Sequence, residues 1–162
     1  MVLTALTIRR AQPGDEGVAL MLLRELADYE KLLDKFHITE EAIRRDYLSA
    51  QPLCHCDLAF EGETAVGVMS WYWIYASFAA ARAIYLEDLF VRPVHRGKGY
   101  GKALLAHLAQ TAVAADCNRI DWSVLDWNKP SIDFYESIGA RQNAGWYVYR
   151  LEGAALKTLG EG

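Results

Sequence analysis

The chain predicts one mixed α/β domain, and three features carry that prediction. Leu53–Phe60 and Thr64–Tyr75 are strand-like runs joined by a Glu61-Gly62-Glu63 turn, which makes an antiparallel hairpin. Ala83–Val91, a helical pattern over Gly101–Ala115 and Arg119–Leu125 follow as strand, helix, strand, so the two strands are expected to run parallel. Two more helical patterns stand ahead of most of the strands. A length of 162 residues suits a single domain with a real core, and no internal repeat, linker or low-complexity segment divides it.

In order, Leu6–Arg10 reads as a short strand stopped by Gln12-Pro13-Gly14. Asp15 is placed to cap a helix from Glu16 to Leu33, whose Val18, Leu22, Leu26 and Tyr29 form an apolar stripe. Thr39 caps a second helix, with Glu40 and Glu41 in its first turn and Gln51-Pro52 as its end. In the second hairpin strand Trp71, Tyr72, Trp73 and Tyr75 put aromatic rings on both faces. Two readings stay open there: a wide sheet covered on both sides, or an acceptor pocket walled by rings that attract a cationic amine. Ala79–Arg82 reads as a loop. After the crossover helix, with Leu104, Leu105, Leu108 and Ala112 on its buried side, Asn128-Lys129-Pro130 breaks the chain. Ser131–Ile138 is expected as a short helix, Gly145–Leu151 as a closing strand and Glu152–Leu159 as a weak terminal helix.

Composition excludes several classes of function. Hydrophobic residues make up 52% and charged residues 23%, as in ordinary globular proteins. No run reaches the roughly 18 apolar residues of a membrane span, and the first residues lack a signal peptide's basic and apolar regions, so a cytoplasmic location with no membrane partner is expected. A net charge of −4 disfavours nucleic acid as a partner. The odd count of three cysteines gives no disulfide framework. Cys54 and Cys56 share one strand face while His55 points the other way, and no second ligand pair exists, so no metal is expected.

The chemistry gathers in Tyr85–Lys102, YLEDLFVRPVHRGKGYGK. Gly97, Gly99 and Gly101 alternate, and without Cβ atoms the backbone there can take positive φ and bring its N–H groups close to a ligand. A helix follows at once, so those donors and its partial positive charge converge, with Arg96, Lys98 and Lys102 beside them. A phosphate or pyrophosphate suits this place. The spacing is not Gly-x-Gly-x-x-Gly, and Ala103 stands where a P-loop needs Ser or Thr. An ordinary glycine-rich strand-to-helix turn remains the alternative.

Arg96-x-x-Gly99-x-Gly101 after an apolar strand resembles the pyrophosphate-binding turn of the GCN5-related N-acetyltransferases (GNAT). The resemblance extends over about residues 6–159. LDWNKPSIDFYESIGA is similar to the family's stretch of Asn, Pro, a Phe-Tyr pair and a Gly-Ala turn. RELADYEK, YLEDLFV and the Arg-Leu-x-Gly ending narrow the likeness to the diamine (spermidine/spermine) and thialysine N-acetyltransferase branch. The family implies a single GNAT-like domain over 1–162. Its central sheet is twisted and mostly antiparallel, with one splayed parallel strand pair and helices on both faces. It also implies acetyl-CoA as co-substrate, a small-molecule amine as acceptor and a homodimer.

Acyl transfer to an amine makes three demands. A lysine-like amine of pKa near 10.4 is protonated at pH 7, and freeing its lone pair costs about 3.4 pK units, or roughly 4.6 kcal/mol. Glu87 stands where the family places its carboxylate base, to act directly or through water. On strict alternation Asp88 points to the opposite face, and a charged residue on a solvated strand edge is the other reading of Glu87. The thioester carbonyl needs donors, which a locally bulged strand supplies; the resemblance assigns main chain at Leu89, Phe90 and Val91 to the pantetheine arm. The departing thiolate needs a proton, for which Tyr135 matches the family's acid, a packed structural tyrosine being the alternative.

For the cofactor the resemblance implies Arg96, Gly97, Lys98, Gly99, Tyr100, Gly101 and Lys102 at the turn, and Asn128, Pro130 and Ser131 at the next helix start. Asn128 also reads as that helix's cap. Tyr29 and Glu30 match the pair that contacts the amine, or simply end a surface helix. One departure bears on the acceptor. Where polyamine acetylases carry acids before the closing-strand Trp, this chain has Gln142-Asn143-Ala144-Gly145-Trp146. Asp121 and Asp126 are possible partial substitutes, and a short amine is expected over spermine. Two other functions fit the motifs less well: acetylation of protein N-termini or lysines, and coenzyme A sensing without turnover, which needs neither Glu87 nor Tyr135.

Overall fold

The computed structural model describes Ala5–Gly162. The chain falls into two compact units, one running to Ser123 and the other Val124–Gly162.

The first unit is built on a five-stranded sheet in the order β1-β2-β3-β4-β5. Its strands are β1 (Leu6–Arg10), β2 (His55–Glu61), β3 (Thr64–Ala76), β4 (Ala81–Val91) and β5 (Ile120–Trp122). Neighbours are antiparallel except β4 and β5, which pair parallel over only Ile84–Ile120, Tyr85–Asp121 and Leu86–Trp122. The expected hairpin and crossover are both present. β4 begins two residues earlier than expected, because a short 3-10 turn at Ser77–Ala79 and Ala80 at φ 48° complete the reversal.

Helices cover both faces. On one, α1 (Glu16–Tyr29) and α2 (Glu40–Asp46) set Leu22, Leu23, Leu26 and Ile43 against Cys56, Leu58, Val68 and Phe90. On the other, α3 (Tyr100–Ala114) buries Leu104, Leu105, Leu108 and Ala112. There the fully buried Asp57 accepts hydrogen bonds from Trp71 Nε1 (2.7 Å) and Arg10 Nε (2.9 Å), with His107 Nε2 at 3.8 Å. A buried charge with matched donors keeps its hydrogen bonds on folding.

Two cap expectations had different outcomes. Thr39 accepts from the Ala42 N–H at 3.1 Å as expected. Asp15 stands at the α1 N-cap but its carboxylate turns back to the Gln12 N–H (2.8 Å) and to Arg9 (2.6 Å). Arg9 therefore outcompetes the helix for it, and holds it below the usual carboxylate range.

The α1 helix ends before the expected Leu33. Lys31 takes φ 60°, and Leu32 N–H bonds the Ala27 carbonyl (2.8 Å) while Lys31 N–H bonds that of Asp28 (3.0 Å). This is a Schellman closure, whose left-handed position usually holds glycine. Lys31→Gly is expected to raise stability by about 1 kcal/mol, since a residue with Cβ carries a penalty there; chemical denaturation checks it, with an unchanged midpoint as the contrary result.

The second unit holds α4 (Lys129–Ser137) and α5 (Gly153–Gly160). The closing strand expected at Gly145–Leu151 is absent. Trp146, Tyr147, Val148 and Tyr149 lie outside any strand and are 77–93% exposed. An aromatic, β-branched run favours a strand only where a neighbour completes its ladder, and the unit contains no other strand among the described residues. No described helix is long and apolar enough to cross a membrane.

Candidate active site

The parallel pair determines where chemistry is possible. Because β5 meets β4 only at Ile84–Leu86, the β5-side edge of β4 from Glu87 to Val91 has no strand partner in the sheet. The β3 register also shifts here: Ser70 pairs with Asp88 and Trp71 with Leu86, which leaves Glu87 as an extra, bulged residue. A bulge re-aims side chains and leaves ladder groups unpaired. It falls on the candidate base, just ahead of Leu89, Phe90 and Val91.

Glu87 is exposed and accepts from Tyr72 Oη at 3.3 Å; Tyr72 in turn stacks on Tyr85, ring centroids 5.3 Å apart. Burial and the Glu87 charge push the Tyr72 phenol up to about 12, so it stays a donor at neutral pH. Strict alternation would send Asp88 to the opposite face from Glu87, but the bulge interrupts alternation. Burial raises the Cys54 thiol and the Tyr47 phenol, with both carboxylates adding to it, and the Glu87 charge adds to the burial that raises Asp88.

Asp88 accepts a short hydrogen bond from Ser70 Oγ. Burial pushes its carboxyl up to about 6, with the charges of Glu87 and Glu30 adding to the shift. Glu30, the cap of α1, is itself raised by burial. As pH rises through about 6, Asp88 loses its proton and negative charge appears beside Glu87 and Glu30. The KM for a cationic amine is therefore expected to fall across that window. Asp88→Asn should flatten this part of the profile, and a profile identical to the parent's would count against the carboxyl.

The turn after β4 fits a pyrophosphate. Gly97 (φ 78°) and Gly99 (φ 82°) are left-handed, and an added Cβ on either would point into open space. Gly101 departs from the expectation, having no positive φ and lying inside the first turn of α3. The first α3 backbone bond runs from Ala103 N–H to the Gly99 carbonyl, so the N–H groups of Tyr100, Gly101 and Lys102 have no intrahelical acceptor. The three cations behave differently. Lys98 Nζ pairs with Glu61 at 3.0 Å, and Arg96 Nε donates to the Val91 carbonyl at 2.9 Å. Lys102 is exposed, with no ion-pair partner among the described residues. His95 also reaches Glu61 at 2.7 Å, tying the turn to the β2 end.

Tyr29 and Glu30 are half-buried at the end of α1, with the Arg96 guanidinium 4.5 Å above the Tyr29 ring. Asp121 is less open than expected, since its carboxylate accepts from Arg119 Nε at 2.7 Å. The aromatic strand divides between the two readings: Trp71 is a buried structural ring, Tyr72 reaches Glu87, and Trp73 and Tyr75 are exposed. Sequence reasoning did not find Ser70, which holds Asp88; no local pattern marks a serine as the cross-strand partner of a bulge. No group of three or more His, Cys, Asp and Glu side chains among the described residues is placed to hold a metal ion.

Within the second unit, Asn128 caps α4 by accepting from the Ser131 N–H (3.4 Å), with Pro130 in the first turn. Tyr135 is half-buried, its ring 5.4 Å from Phe134.

Residues 17–140 match the acetyltransferase (GNAT) family. Over 97% of its length the chain is 39% identical to the thialysine N-epsilon-acetyltransferase of Sus scrofa, covering 98% of that protein. It is 34% identical to a Homo sapiens spermidine/spermine N(1)-acetyltransferase-like protein 1, with 94% of this chain aligned to 23% of that one. Among solved structures, an integron cassette protein from the V. cholerae mobile metagenome superposes with a TM-score of 0.78 at 27% identity, covering 97% of this chain and 98% of that one.

Proposed function

We propose that this chain, which belongs to the acetyltransferase (GNAT) family and is an N-acetyltransferase, moves the acetyl group of acetyl-CoA to a small primary amine by direct attack within a ternary complex. The observation that supports this most is the bulge at Glu87 on an unpaired strand edge, immediately ahead of a phosphate-binding turn. We take residues 1–162 as one catalytic domain, a reading favoured by the family match, which runs across Ser123.

Glu87 accepts the proton of the acceptor's ammonium, directly or through water. The freed nitrogen then forms the new C–N bond as the thioester C–S bond breaks, and gives up its surplus proton to solvent to leave the neutral amide. Main-chain N–H groups over Leu89–Val91 donate to the carbonyl oxygen as charge grows on it. Tyr135 gives its phenolic proton to the departing sulfur and recovers it from solvent. Arg96–Lys102 hold the pyrophosphate, Asn128, Pro130 and Ser131 the rest of coenzyme A, and Tyr29, Glu30 and Asp88 the cationic end of the acceptor. Tyr135→Phe is expected to lower kcat about 10²-fold with coenzyme A affinity unchanged; an undiminished kcat would remove Tyr135 as the acid.

The acceptor is short. The closing region has no acid before Trp146, Asp121 is paired with Arg119, and a relative 39% identical over nearly the whole chain is named for thialysine. A thialysine-like amino acid or a diamine should therefore exceed spermine in kcat/KM by about tenfold, and a preference for spermine would overturn the assignment. The chain acts as a homodimer, a reading supported by the exposed run Trp146–Tyr149, and its location is taken as cytoplasmic from the sequence composition alone.

A further inference from the structure

The segment that leads into the phosphate turn is bound to α1 at two successive points. Arg92 Nε and Nη2 donate to the Glu25 carboxylate at 2.9 and 2.6 Å, and Arg92 Nη1 also reaches the Ala65 carbonyl at 3.2 Å. Four residues on, the Arg96 guanidinium carbon lies 4.5 Å over the Tyr29 ring and 5.7 Å from that of Phe90, while Nε is held by the Val91 carbonyl. Glu25 and Tyr29 are also four residues apart, so they share one face of α1. The first contact is a bidentate ion pair. The second is a flat cation laid on a ring.

These contacts differ in what a ligand does to them. Arg92 is committed on both sides, to Glu25 and to the sheet. Arg96 begins the Arg96-x-x-Gly99-x-Gly101 turn, so an anion seated there draws on the same guanidinium that covers Tyr29. Beyond Tyr29 the helix closes through Lys31 in a left-handed conformation, followed by a single 3-10 turn at Leu33–Lys35. A strained terminus of this kind opens more readily than the helix body. Its order is therefore sensitive to one added contact.

We propose that Arg96 is a positioning residue that couples the two substrate sites: an occupied phosphate turn fixes its guanidinium, which clamps Tyr29 and orders the last turn of α1 for the acceptor. The link to the acceptor rests on the assignment of Tyr29 and Glu30 to amine binding. Coupling of this kind is reciprocal, so the acceptor strengthens coenzyme A binding by the factor that coenzyme A strengthens the acceptor's.

Amide hydrogen exchange with and without saturating coenzyme A tests the clamp without any amine. The amides of Tyr29–Leu32 should slow about fivefold or more on binding in the parent protein, within the usual range of coupling factors. In Arg96→Lys, which keeps the charge but loses the flat face and the Nε donor, that slowing should vanish while calorimetry still detects coenzyme A. No slowing in the parent, or equal slowing in Arg96→Lys, overturns the proposal.

Steady-state kinetics tests the acceptor link. Arg96→Lys should raise the amine KM about fivefold, a larger factor than any fall in kcat. Tyr29→Leu should do the same, and the double variant should be no worse than Tyr29→Leu alone. An Arg96→Lys variant that loses only coenzyme A affinity makes Arg96 a phosphate ligand and nothing more. If the exchange response is lost in Arg96→Lys but the amine KM ignores Tyr29→Leu, the clamp stands and the acceptor assignment of Tyr29 fails.

Discussion

Glu87→Gln is expected to lower kcat at pH 7 by about 10²- to 10³-fold, within the usual range for removal of a general base. The bulge leaves Glu87 exposed on the open length of β4, where Tyr72 Oη donates to its carboxylate at 3.3 Å; in the proposed mechanism this carboxylate takes the acceptor's ammonium proton. Gln keeps the size and the Tyr72 contact but accepts no proton. The acceptor must then reach the site already deprotonated, a fraction that grows tenfold per pH unit below its own pKa. The rate of Glu87→Gln should therefore climb with a slope near one on a logarithmic plot up to the amine pKa, while the parent flattens earlier. Asp88→Asn is the control, changing the amine KM more than kcat. Equal rates for parent and Glu87→Gln at every pH would remove Glu87 from the chemistry.

Gly99→Val is expected to weaken coenzyme A binding by at least about 100-fold, with the protein still folded. Two effects act together. Gly99 sits at φ 82°, and a residue with Cβ in that left-handed region carries a penalty of about 1–2 kcal/mol, larger when β-branched. The Cβ position also faces open space rather than protein, so the added methyl groups occupy the volume in which a phosphate would approach the N–H groups of Tyr100 and Gly101. Gly99→Ala should fall between parent and Val. Calorimetric titration with coenzyme A, alongside circular dichroism, reads the result. Parent-like affinity in folded Gly99→Val would show that the pyrophosphate binds elsewhere.

The parts of the fold with strong local signals were legible in the sequence. The Glu61-Gly62-Glu63 hairpin, the Thr39 cap and the Leu104–Leu108 stripe each depend on residues close in the chain, and each stands as read. The departures depend on which partner is at hand. Asp15 does stand at the N-cap, but Arg9, close by on β1, takes its carboxylate, and Gly145–Leu151 has strand propensity but no neighbouring strand in its unit among the described residues.

The candidate site divides in the same way. The glycine turn is a local pattern and was found, although only Gly97 and Gly99 take positive φ. The bulge at Glu87 is a register shift against β3, and burial raises the Asp88 carboxyl, with the charges of Glu87 and of Glu30 at the α1 end adding to the shift and the Ser70 hydrogen bond opposing it. Likewise the charges at the turn looked equivalent in sequence, whereas Glu61 occupies Lys98 and Tyr29 faces Arg96. Such pairings arise only from the folded sheet.

The most direct test is release of free thiol from acetyl-CoA by the purified chain over a panel of thialysine, lysine, putrescine, spermidine, spermine and a short peptide, with product masses measured in the same wells. The account predicts thiol release that requires a short primary amine, matched by a product heavier by one acetyl group. Thiol release with the peptide alone, or no release from any amine while coenzyme A still binds, would contradict it.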